Sequence, residues 1–92
     1  MRQFYVDLEH YGIYNPLEIV AVETINTDYR HRFKQIEFCV IVKDVGRLNF
    51  FEFFNNENAK DKYDKLDKKR LRIIEEWLYG VDYLKGVICQ KK

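Results

Sequence analysis

Residues 34–54 read KQIEFCVIVKDVGRLNFFEFF, and the fold turns on how this stretch alternates. Ile36, Phe38, Val40 and Val42 share one parity; Glu37, Cys39 and Ile41 share the other. Period two marks a strand, because successive side chains leave a pleated backbone on opposite faces. Residues 34–43 therefore predict a strand. DVGR at 44–47 is a tight connection, and residues 48–54 return as the hairpin partner. Phe50, Phe51, Phe53 and Phe54 put rings on both parities of that second strand. Strands covered on both faces read as near-continuous apolar runs, so something is expected against each side of the hairpin.

Downstream, NNEN at 55–58 ends the strand and offers helix caps. From residue 59 to 79 the period becomes helical, and Ala59, Tyr63, Leu66, Ile73, Ile74 and Trp77 form one apolar stripe. Gly80 follows as a C-terminal cap. Residues 81–90 then add a short helical turn or a short edge strand such as 86–89. Upstream, residues 3–11 alternate, with Phe4, Val6, Leu8 and His10 on one face and Tyr5, Asp7, Glu9 and Tyr11 on the other. Residues 12–16 punctuate that strand as a turn. Residues 17–25 carry two signals. Asn15, Pro16 and Glu18 resemble a helix start, while Ile19, Val20, Val22, Thr24 and Ile25 favour a strand. The β-branched density decides for strand. Residues 26–32 are polar and turn-like. The whole chain, 1–92, reads as a single α+β domain. Its order is β-β-β-β-α, an antiparallel sheet of about four strands with one C-terminal helix packed on one face.

One helix covers one sheet face, and the other should be polar in a solvated monomer. It is not. If Val6, Ile36, Phe38 and their parity face the helix, the second face holds Tyr5, Tyr11, Val20, Val22, Cys39, Ile41, Phe51 and Phe53. A patch of that size marks an interface or a covered surface. Three occupants fit: the C-terminal tail, a second copy of the chain, or a different protein.

On the helix, Lys62, Lys65, Lys69 and Arg72 recur at i, i+3, i+7 and i+10 along one flank of the apolar stripe. Such a line suits phosphates or an acidic surface. It equally suits a solvated face whose long side chains lie over the core edge. Net charge is +1, which gives no overall steering towards nucleic acid.

Chemistry is sparse. The chain has no Ser, its four Gly are scattered, and its two His, His10 and His31, stand apart from any Cys at metal-ligand spacing. Cys39 lies in an apolar run without the cationic setting that activates a thiol. An Asp-x-Lys triplet at Asp67 sits in a lysine-rich helix, where such triplets arise by chance. No catalytic residue, metal site or cofactor is expected. The N-terminus has no signal-peptide core, and no apolar run approaches the ~20 residues of a membrane span. The expected setting is cytoplasmic, with reduced thiols and no membrane association. Abundant Ile, Lys, Asn, Tyr and Phe with scarce Ala indicate AT-rich coding. That usage suits low-GC bacteria, their phages and mobile elements. The sequence thus predicts a non-catalytic protein-binding module, for instance a small phage- or element-encoded inhibitor of a bacterial defence protein. A homo-oligomer is compatible with it. Two alternatives are a nucleic-acid-binding accessory protein using the basic flank and a small enzyme or toxin using a His as acid or base.

Overall fold

The computed structural model describes residues 5–28 and 34–90, and the side chains of all these except 28 and 87–90. Strands β1 (Val6–Asp7), β2 (Ile13–Tyr14), β3 (Ile19–Val22), β4 (Asn26–Asp28), β5 (Lys34–Val42) and β6 (Gly46–Phe54) precede one helix, α1 (Ala59–Gln90). This is the α+β arrangement that the alternation predicts, an antiparallel sheet with a C-terminal helix. β5 and β6 pair without a break from Lys34↔Phe54 to Val42↔Gly46. Their turn is closed by the Val45 N–H donating to the Val42 carbonyl at 3.1 Å. Asp44 sits at φ 64° in that turn, a left-handed conformation that Asp tolerates better than most side chains.

β3 and β4 both pair with β5 on its side away from β6. Ile19 lies opposite Val42 and Val22 opposite Val40, while Thr27 lies opposite Ile36. They act as one interrupted strand, so the sheet is three strands wide. The register slips between Ile19 and Ala21. It is offset again across residues 23–25, where the Glu23 N–H reaches the Cys39 carbonyl at 2.8 Å. The turn-like reading of residues 26–32 is therefore corrected for Asn26–Asp28, which is strand; residues 29–33 lie outside the described part.

The predicted strand over residues 3–11 is corrected too. It ends at Asp7, whose carboxylate accepts the Glu9 N–H at 2.8 Å and starts a turn. A 3-10 turn, Glu9–Tyr11, and Gly12 at φ 104° then reverse the chain. Ile13 and Tyr14 return to pair with Asp7 and Val6 in a ribbon separate from the main sheet. Both signals in residues 15–25 prove real. The Asn15 side chain accepts the Leu17 N–H at 2.9 Å and caps a 3-10 turn, Pro16–Glu18, and β3 follows directly.

The core joins Val6, Leu8 and Ile19 to Ile36, Phe38, Val40, Val42 and Phe50 from the hairpin and to Leu66 and Ile73 from α1. Phe38 and Phe50, direct partners across β5 and β6, stack with centroids 5.0 Å apart. Trp77 packs against the same cluster. Tyr63, expected in the helix stripe, is instead exposed.

Gly80 does not end the helix. It is buried within α1, where an added Cβ would stand 2.3 Å from Cγ of Pro16. The glycine is there for close approach, and its usual capping role yields to packing. The helix continues to Gln90, so residues 81–90 form neither an edge strand nor a flap over the sheet. Ten further residues carry the helix about 15 Å past Gly80, and the molecule measures 56 × 25 × 19 Å. Among the described residues no helix is long and apolar enough to cross a membrane.

Candidate binding surface on the outer strand

The second sheet face is smaller and more polar than the sequence predicts. Three of its expected members belong elsewhere. Tyr5 adjoins the separate β1–β2 ribbon. Tyr11 lies in the 3-10 turn and packs edge-on against Phe50, at 5.4 Å, on the core side. The slip at Val20 puts Val22 opposite Val40, so Val22 packs against the core. Val20 is exposed at the slip itself. A one-residue offset moves every later side chain to the other face, and no alternation rule anticipates it.

What remains on this face is Ala21 beside Ile41, then Cys39 beside Asn49, then Glu37 beside Phe51 and Gln35 beside Phe53. Its middle is polar and internally bonded. The Cys39 thiol donates to Asn49 Oδ1 at 2.6 Å, and Arg47 Nη2 lies 2.5 Å from Glu23 Oε1. A hydrogen bond with Cys39, and then the Glu23 charge, hold the Arg47 guanidinium above its ordinary pKa. Cys39 is a free thiol, and the side chain of Cys89 lies outside the described residues. Beyond this cluster Phe51 and Phe53 stand side by side, centroids 5.3 Å apart and edge to face. They are 49% and 51% exposed, values high enough to make them the apolar end of this face.

The same strand forms the sheet edge, because among the described residues β6 pairs only with β5. Antiparallel partners alternate between hydrogen-bonded and non-bonded pairs. The Cys39 carbonyl accepts from Glu23 on the β3 side, so Cys39↔Asn49 is a non-bonded pair of β5 and β6. Arg47, Asn49, Phe51 and Phe53 therefore turn their main-chain groups outward. The Asn49 carbonyl is taken by the Tyr11 hydroxyl, which donates at 2.7 Å. The Phe51 N–H and C=O have no such partner among the described residues.

The basic flank lies beside acids of other elements. Lys62 and Lys65 approach Glu52 at 3.7 and 3.1 Å, and Lys69 and Arg72 approach Glu9 at 3.1 and 3.9 Å. Arg72 also pairs with Glu76 and donates to the Asp7 carbonyl at 3.1 Å. Glu76 in turn accepts the Asp7 N–H at 2.9 Å. These cations tie the helix to β6 and to the β1 turn, while the Lys65 side chain stays mostly exposed. Sequence reasoning missed Glu52 and Asn49. The signal was a lone charge in FFEFF at 50–54, on the parity that faces two lysines of the helix.

His10 is exposed, its ring 4.1 Å from that of Tyr11; His31 lies outside the described residues. Among the described residues no three His, Cys, Asp or Glu side chains gather as a metal site. Comparison of the chain with models of known families, with curated proteins and with solved structures finds no match.

Proposed function

We propose that this chain is a non-catalytic module that binds a protein partner through the outer edge and outer face of β6. The observation that carries the reading is the placement of Phe51. Its ring is half exposed beside Phe53, and its main-chain N–H and C=O face outward at a sheet edge. Main-chain bonds along an edge supply affinity, and alternate side chains supply choice of partner. Aromatic anchors are enriched at such interfaces. Val20 and Ile41 border the surface; Tyr11 and Val22 pack against the core, and Tyr5 lies exposed beside the β1–β2 ribbon. The narrower form of the proposal is an inhibitor encoded by a phage or mobile element, acting in the cytoplasm on a bacterial defence protein. It rests on residue usage alone.

The test is affinity capture from extracts of the source cells, comparing the wild type with a Phe51→Asp/Phe53→Asp variant. A partner held by the wild type should be lost from the variant, while far-UV circular dichroism stays the same. Equal capture by both proteins would remove β6 from the binding surface.

A further inference from the structure

We infer that α1 carries a surface of its own, on which the helix of a second copy of this chain packs antiparallel about a two-fold axis level with Glu76. This surface is separate from β6 and does not depend on the reading of that strand. Asp67, Leu71, Ile74, Leu78, Val81 and Lys85 follow one another in alternating steps of four and three. That is the seam spacing of paired helices. At about 100° per residue the six share an arc of about 80°, centred about 100° round the helix from the core residues Leu66 and Ile73. Leu71 and Leu78 are half exposed, with Ile74 and Val81 half-buried beside them. The seam continues past Gly80 into the overhanging end of the helix. A helical segment of that length is marginal in water unless it has a surface to lie on, and antiparallel pairing lays each overhang along the middle of the other helix.

Self-complementarity is what selects a second copy. A two-fold interface must pair each residue with the one in the mirrored position. An axis level with Glu76 sets Leu71 against Val81 and Ile74 against Leu78, each twice over. The same register closes both ends of the apolar seam with Asp67 against Lys85. Neither of these makes an ion pair among the described residues. Just outside the seam it brings Lys68 near Asp82, a second unlike pair. Glu75 approaches its own counterpart near the axis, the one like-charge contact of the arrangement. Other pairings are worse. A parallel pair would set Asp67 against Asp67 and Lys85 against Lys85. Sliding the antiparallel pair by one heptad sets Ile74 against Lys85 in one direction and Asp67 against Leu78 in the other.

From Asp67 to Lys85 the seam is about 27 Å long and one helix, about 10 Å, wide. A strip of that size stands at the low end of specific interfaces. Dimerisation should therefore be reversible, with a dissociation constant on the order of 10–100 μM.

Sedimentation velocity on the full chain, from a few micromolar to about a millimolar, reads the state of association. The wild type should pass from monomer to dimer across that range. Leu78→Asp, at an exposed position, should stay monomeric with an unchanged circular dichroism spectrum. Asp67→Lys and Lys85→Glu should each weaken the dimer about three- to tenfold. The double variant should regain most of the lost affinity, because residues 67 and 85 are too far apart on one helix to meet except between copies. Glu75→Gln should tighten the dimer severalfold. Phe51→Asp/Phe53→Asp should dimerise as the wild type does, which separates this surface from β6. A wild type that is monomeric at a millimolar, or a dimer that Leu78→Asp leaves intact, overturns the inference. So does a double charge variant no tighter than the single ones, or a dimer lost with the two Phe substitutions.

Discussion

β5 and β6 are each nine residues long and paired residue for residue, yet they live in different surroundings. β5 has neighbours on both sides in the sheet, and even Cys39, on the face away from the helix, is buried. Among the described residues β6 has a neighbour on one side only, and its outer rings are half exposed. Both strands carry apolar side chains on both parities in sequence. The difference teaches that apolar density on both parities marks a strand with two faces to cover, and says nothing about whether its edge is covered.

Proline gives the sharpest way to break this comparison. Val40→Pro puts a residue without N–H in the middle of the central strand, and should cost more than ~3 kcal/mol and leave the protein largely unfolded by circular dichroism. Phe51→Pro in β6 should cost about 1 kcal/mol or less. If the two variants were equally destabilised in urea titrations, β6 would not be an edge. Truncation is the next test. Phe38 is fully buried against Phe50, so Phe38→Ala should lose ~3–5 kcal/mol. Phe51→Ala should lose under ~1 kcal/mol in the same titration.

The contrast between crowded and open positions extends into the helix. Gly80→Ala must push Pro16 aside, and its overpacking of ~1–3 kcal/mol should outweigh the gain in helix propensity. Gly86→Ala meets nothing within 4 Å and should stabilise by ~0.5–1 kcal/mol. Thermal melts of the two variants should move in opposite directions. The smallest effect belongs to Glu52, the inward-facing charge of β6. Glu52→Gln loosens Lys62 and Lys65, and should cost up to about 1 kcal/mol, with the difference shrinking as salt is raised.

The hairpin, the helix start and the inward stripe of Leu66, Ile73 and Trp77 were legible because each follows a strict period over many residues. The face assignments of Val20 and Val22 were not, because one slipped residue inverts parity without altering composition. Gly80 misled for a related reason. A glycine in a helix reads as a stop, and only the position of Pro16, distant in sequence, shows that it serves contact. The basic flank was correctly seen as a line of charge, but the acids that neutralise it, Glu9 and Glu52, come from other elements. Period-based reading sees one segment at a time, and such pairings across segments lie beyond it.

The bonds joining Asp7 to Glu76 and Arg72 have a kinetic consequence. They span 69 and 65 residues of chain, whereas β5 and β6 zip outward from a tight turn. Closing a loop costs more entropy the longer it is, by about 0.6 kcal/mol per doubling. The hairpin should therefore form early, and the N-terminal ribbon should dock last, after the folding barrier is crossed. Losses in that late clasp fall on the unfolding rate. Stopped-flow measurements on Arg72→Ala should show faster unfolding at a nearly unchanged folding rate. A slowed folding limb would instead mean that the two ends of the chain meet before the barrier.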